Sequence, residues 1–322
     1  MLVNTDNAVS AEIVNAVKNR KIVCAFHDID GTHSLIRNWP PVMSRVLYDT
    51  AVNGITDNLT EEENINRLVS LCGTEPLRET DRFCVESAGL SALTQMEWAI
   101  RRNQELTSGK FDSPVNSEII KRIWAGEEKF DSFDEPQEYL SYLRVVTPKL
   151  FWVYEQVLNR FCRDKNLKAA KENPESFLVP GSMDFMEYLY KNGVKNYFVT
   201  GAVVDKTVQP PMGMYEEVLG LGFEIGEGKT VEDILGSTWD EKIPKEEVMN
   251  RLVKKLGING ENVLVVGDGR SEVSAGVSLG AVTVSILPKT AARQRKLHRE
   301  LGTNIIISDY TGDVCKIICP EQ

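Results

Sequence analysis

The chain has 322 residues, 42% hydrophobic and 26% charged, which suits a globular protein of two ordinary domains. Its 37 basic and 47 acidic residues leave a formal charge of -10, arguing against a broad nucleic-acid or anionic-membrane surface. The six cysteines form no CxxC pair, so neither a zinc site nor a disulfide framework is suggested, and with no signal-length apolar run and no uninterrupted stretch of about 18 apolar residues, a cytoplasmic location is the default expectation.

In chain order, Lys21 to Phe26 is an apolar, partly β-branched run, predicting a buried strand that delivers His27, Asp28, Ile29, Asp30, Gly31 and Thr32 at its C-terminal end. The next stretch reads as helical. Pro40 to Val52 is amphipathic and closed by Gly54, and Thr60 to Glu63 forms a capping box for a helix reaching Cys72. Ser91 to Leu106, Ser117 to Ala125, and a long aromatic-rich segment from Glu138 to Asn166, with a break expected at Pro148, are further helices.

From Phe177 helix and strand alternate. Met183 to Lys191 is a helix, Val194 to Val199 a strand ending in Thr200 and Gly201, and after a second helical stretch Lys245 to Leu256 is a helix between Pro244 and Gly257. Val263 to Val266 is a strand ending in Gly267, Asp268 and Gly269; strands at Ala281 to Ile286 and Asn304 to Ile307 flank a basic helix, Ala291 to Leu301. Such repetition predicts an α/β core with a parallel sheet covered on both faces, built from residues 1–38 and 173–322, with an all-helical domain, residues 39–172, inserted between them.

Ligands of open parallel sheets bind outside the carboxyl ends of the strands. Three predicted strands place polar residues there: Asp28 and Asp30, Thr200 and Gly201, and Asp268. Asp28-Ile-Asp-Gly-Thr32 resembles the DxDGT signature of haloacid dehalogenase-type phosphatases. Phe198 to Gly201 resembles their second motif and Val265 to Glu272 their fourth, in matching order and spacing. The likeness covers the α/β core; the helical insert matches in position and character, as in phosphoglycolate phosphatase-like members that carry a helical cap after the first motif.

The resemblance implies a Rossmann-like three-layer core and a magnesium-dependent phosphomonoester hydrolase acting on a small phosphorylated metabolite. Asp28 would be the nucleophile forming an aspartyl-phosphate and Asp30 the acid/base; alternate strand residues share a face, as this division of labour needs. Thr200 and the Gly201 amide would hold phosphoryl oxygens. Magnesium would be bound by the Asp28 carboxylate, the Asp30 carbonyl and Asp268, with Glu272 reaching it through water or serving only as a first-turn carboxylate. The motif lysine, which also binds phosphate, is Lys245 or Lys242, with Lys245 favoured by its spacing to Gly257. For each motif taken alone the competing reading is a turn after a strand.

His27 and His33 are expected to support the site's edge. Arg37 and Trp39 lie near the presumed joint with the helical domain, as substrate contacts or as a surface arginine and a packing tryptophan. The basic run Arg293 to Lys296 and Arg299 reads as a solvated helix face. Trp98, Trp124, Tyr139, Tyr142, Phe151, Trp152 and Tyr154 read as core of the helical domain. Competing functional readings are a sugar phosphomutase of the same superfamily and a non-catalytic binding protein that has kept the fold.

Overall fold

A computed structural model describes residues 11–17, 20–35, 38–87, 89–207, 213–239 and 241–319. Two strands come first, β1 (Glu12–Ile13) and β2 (Cys24–His27). Helices then follow without a strand: α1 (Pro40–Asn53), α2 (Glu62–Leu71), α3 (Arg78–Glu86), α4 (Ala92–Thr107), α5 (Pro114–Trp124), α6 (Gln137–Leu158), a π-helical segment (Asn159–Arg163) and α7 (Asp164–Glu172). The remainder alternates: α8 (Ser182–Lys191), β3 (Lys195–Val203), α9 (Met214–Gly220), β4 (Asp233–Ser237), α10 (Lys245–Leu256), β5 (Val263–Gly267), α11 (Arg270–Ser278), β6 (Val282–Ile286), α12 (Ala292–Leu301), β7 (Ile305–Ile307) and α13 (Val314–Ile318).

The strands form one sheet in the order β1-β7-β6-β5-β2-β3-β4, parallel except where β1 meets β7. In β2 the period of two sends Ala25 toward Phe185 and Leu189 of α8, and Cys24 and Phe26 toward Val248, Met249 and Leu252 of α10. Both faces are thus covered, which is why β2, β5 and β6 are buried along their whole length, β5 as an unbroken apolar run and β6 with Thr283 and Ser285 buried as well. Fully burying a side chain such as Phe26 contributes about 1.5–3 kcal/mol. A separate apolar cluster lies within the helical stretch, around Leu47, Phe83, Trp98, Tyr139, Phe151 and Val157.

Several local expectations are corrected. Thr60 does not cap α2: Glu61 holds the N-cap position and makes no side-chain cap bond. Pro148 does not break α6, because the helix begins eleven residues earlier and buries Val146, Thr147, Leu150 and Phe151 on either side of it. Regularity is lost later, in the π-helical segment. β3 does not stop at Thr200 but continues to Val203, where an irregularity in its pairing lets β4 follow it. α3, β1 and β4 were not expected. Arg37 lies outside the described residues. No helix among them is long and apolar enough to cross a membrane, and all six cysteines are free.

Candidate active site

β2 and β5 are hydrogen-bonded neighbours with His27 opposite Val266, so Asp28 and Asp268 leave the sheet side by side at its carboxyl edge. β3 flanks β2 on the other side and brings Thr200 to the same edge. Between them the chain must turn sharply. Gly31 takes a positive φ of 74°, and a side chain there would press on the Asp268 carboxylate, whose Cγ would lie 2.7 Å from the added carbon. The turn is held by Thr32, His33 and Ser34 amides on the Ile29 carbonyl, and Thr32 Oγ1 donates to Asp268 Oδ1 at 3.4 Å.

α10 supplies the cation. Pro244 precedes its first residue, Glu246 and Glu247 sit in its first turn, Lys254 and Lys255 in its last, and Gly257 closes it with a positive φ of 63°. This orientation sends Lys245 into the cavity, where Nζ donates to Asp28 Oδ1 at 2.7 Å and to Glu272 Oε1. Lys242 points elsewhere. Its Nζ donates to Glu97 Oε2 at 2.8 Å, within a network in which Arg101 also binds Glu97 and Glu135. The two candidate lysines are therefore separated by geometry, and only Lys245 meets Asp28.

Three carboxylates, Asp28, Asp268 and Glu272, share this one ammonium. Burial first, and then the surplus of negative charge, pushes Asp28 up to about 7 and Asp268 well above the usual carboxylate range. Burial opposes the charge on Lys245, but Asp28 and Glu272 outweigh it and hold the ammonium protonated. Asp30 is raised to about 8, by desolvation first and then by Glu217, with which it shares a hydrogen bond.

Glu217, on α9, accepts from Ser34 Oγ at 2.8 Å and pairs with Arg163 at 3.4 Å; Arg163 in turn donates to Glu155 Oε2 at 2.6 Å. This chain links Asp30 to α6 and the π-helical segment. The sequence reading missed Glu155, Arg163 and Glu217. Nothing local marks them, since they are distant in sequence and ordinary helix residues singly; a π-helical turn at a functional site is the one structural sign.

Asp28, Asp30, Lys245, Thr200, Gly201 and Asp268 line a cavity of about 280 Å³ together with Glu155, Arg163 and Glu217. Trp39, Phe151 and Tyr154 face it from the helical stretch, so the last two are both core and lining. The helical stretch touches the sheet edge closely. Ser91 Oγ donates to the Gly201 carbonyl at 3.2 Å, Arg270 Nη2 to the Glu86 carbonyl at 3.2 Å, and Ser271 Oγ to the Gly89 carbonyl. A side chain at Gly201 would meet the Leu90 carbonyl at 3.0 Å, so glycine permits this approach. Thr200 Oγ1 accepts from the Ala202 amide at 3.1 Å.

His27 and His33 form a buried relay behind the edge. Asn196 uses its Nδ2 on the Met186 and Thr230 carbonyls, so its Oδ1 must accept from His27 Nε2, at 3.2 Å. His27 Nδ1 then accepts from His33 Nε2 at 3.0 Å, and His33 Nδ1 from Ser182 Oγ at 2.6 Å. Burial lowers both rings, His27 to about 4, so both stay neutral.

A profile for haloacid dehalogenase-like hydrolases matches residues 47–280. The chain belongs to this family. The match includes Thr200, Lys245, Asp268 and Glu272; the Asp28 to Thr32 segment precedes it. No curated protein matches the chain in sequence. Among solved structures, a predicted phosphatase from Clostridium acetobutylicum is similar at a TM-score of 0.50 and 14% identity, over 92% of this chain and 98% of that one. A predicted phosphoglycolate phosphatase from Haemophilus somnus gives 0.48 and 15%, over 93% and 99%. A β-phosphoglucomutase from Clostridium difficile gives 0.45 and 13%, over 89% and 91%. At such identities the resemblance is one of fold.

Whether a divalent cation suits this haloacid dehalogenase-like site can be tested on its own donors. The carboxylates are hard oxygen ligands, Asp28, Asp268 and Glu272 outnumber their ammonium, and Glu272 Oε2 is buried without a hydrogen-bond partner. Among the described residues no three Asp, Glu, His or Cys side chains stand in ligand geometry. The donors present are hard oxygens of the kind a divalent cation takes, and in chemistry the residues fit such an ion.

Proposed function

We propose that the protein is a magnesium-dependent phosphomonoester hydrolase acting on a small phosphorylated metabolite, with the helical stretch of residues 39–172 as its cap. The observation that carries this reading is the Asp28 carboxylate hydrogen-bonded to Lys245 on the cavity floor, with Asp30 beside it.

Asp28 attacks phosphorus and forms an aspartyl-phosphate, while Asp30 gives its proton to the departing alcohol oxygen. A raised affinity of Asp30 for its proton supports the acid role. Asp30 then takes a proton from water as that water attacks the acyl-phosphate, releasing phosphate and restoring Asp28. Lys245 and the Thr200 to Gly201 segment hold the phosphoryl oxygens as charge develops. Asp28, the Asp30 carbonyl and Asp268 would hold the magnesium ion, with Glu272 behind it; the ion would offset repulsion between carboxylate and phosphate. The contacts from Ser91, Arg270 and Ser271 support a shut cap that excludes bulk water, so it must open for substrate to enter.

A panel of phosphorylated metabolites with magnesium, read for free phosphate and for product identity, tests the proposal. Magnesium-dependent phosphate release is expected. Isomerised sugar phosphate without phosphate release would favour a mutase, and no turnover across the panel would favour a binding protein.

A further inference from the structure

The cavity wall next to Asp30 holds an arrangement that bears on the leaving group. Its cation is Arg163, buried to 3% exposure. Arg163 Nη1 donates to Glu155 Oε2 at 2.6 Å and Asn159 Oδ1 at 3.0 Å, Nη2 donates to Glu155 Oε1 at 3.4 Å, and Nε faces Glu217 Oε2 at 3.4 Å. One guanidinium thus stands between two buried carboxylates that outnumber it, and its Nε makes no hydrogen bond. Gln95 is similarly oriented: its Nε2 donates to Ser87 Oγ at 2.9 Å, leaving Oε1 as the group it can offer to the cavity. The intervening wall is apolar or aromatic, with Trp39, Met43, Phe151 and Leu158. Lys245, which also lines the cavity, is committed to Asp28 and Glu272.

An alcohol seated here meets hydrogen-bond acceptors, aromatic faces and surplus negative charge. A carboxylate on that alcohol would be desolvated beside Glu155 and Glu217, whose charges already outnumber the single guanidinium between them. A hydroxyl or ammonium would find carboxylate and amide oxygens to donate to, and an ammonium would gain from the aromatic faces as well.

We infer that the cavity selects phosphomonoesters whose alcohol carries hydroxyl or ammonium donors and no carboxylate, so that amino-alcohol or polyol phosphates are preferred over phosphoglycolate. The inference rests on the hydrolase reading for the orientation of the ester, and deepens it by assigning the leaving group to Glu155, Glu217 and Gln95.

The test separates the two readings by measuring binding apart from turnover. With magnesium-loaded wild type, calorimetry compares two inert probes of equal length, 2-aminoethylphosphonate and 3-phosphonopropionate. The ammonium probe should bind at least about tenfold more tightly, and the double substitution Glu155→Gln with Glu217→Gln should erase most of that difference. In parallel, kcat/KM for phosphoethanolamine should exceed that for phosphoglycolate by a similar factor. Equal affinities, or preference for the carboxylate probe, would overturn the inference. The expected binding order without hydrolysis of either ester would remove the hydrolase reading and leave the selectivity standing; binding of neither probe counts against both.

Discussion

Lys245 Nζ donates to Asp28 Oδ1 at 2.7 Å across 217 positions of sequence, whereas Lys242, three residues earlier, is bound to Glu97. Spacing to Gly257 favoured Lys245 while leaving Lys242 open, and the direction of α10 separates them. Lys245→Ala is expected to lower kcat by about 10²–10³-fold, the usual effect of removing one preorganised donor. Lys242→Ala should leave kcat within a few-fold, since it disturbs the pairing with Glu97 and the contact with the Phe130 ring and touches neither Asp28 nor Glu272. Steady-state kinetics on both variants checks this; equal losses would contradict the assignment.

Gly31 and Gly193 share a positive φ, 74° and 76°, but different surroundings. An added side chain at Gly193 meets nothing within 4 Å, while at Gly31 it meets the Asp268 carboxylate. Both alanine variants should lose about 1–2 kcal/mol of stability from the left-handed conformation. Only Gly31→Ala should also lose activity. Urea unfolding and kcat, measured on the same preparations, distinguish the two effects.

The neutral His27 ring makes stability depend on pH. Its folded affinity for a proton, about 4, lies below the ordinary 6.5 of the unfolded chain, so the unfolded state binds more protons in between. The stability is fully present above about pH 6.5 and is lost as pH falls toward 4, by on the order of 3 kcal/mol in all. About 2 kcal/mol of this should be gone by pH 5. Because the raised Asp28 and Asp30 titrate with the opposite sign, the His27 contribution is the change in urea midpoint between pH 7 and pH 5 in wild type minus that in His27→Gln.

Surplus negative charge around Lys245 predicts that magnesium stabilises the fold by binding the native state alone. Thermal unfolding should shift upward with magnesium concentration for wild type. Asp268→Asn should abolish most of the shift while keeping the fold. A shift of unchanged size in the variant would place the ion elsewhere.

The core was legible because β2, β3 and β5 are buried on both faces and end in polar residues that have no packing role. Edge strands were not. Asp233 to Ser237 is short and contains Gly236, and β1 spans two residues, so neither offers a period to read. Thr60 looked like a cap from spacing alone, but the helix starts one turn position later, at Glu62. Pro148 looked like a break, yet packing on both sides carries α6 through it. The floor of the cavity was readable as motifs, since strand ends concentrate its residues. The wall next to Asp30 was not, because Glu155, Arg163 and Glu217 come from three helical segments that meet only through tertiary packing.

The central claim is that Asp28 carries the phosphoryl group during turnover. Acid quenching of wild type with substrate, followed by mass analysis of the peptides, should find one phosphoryl group on Asp28, and Asp28→Asn should show neither the adduct nor magnesium-dependent phosphate release. Phosphate release that persists in Asp28→Asn, or an adduct on another residue, would contradict the account.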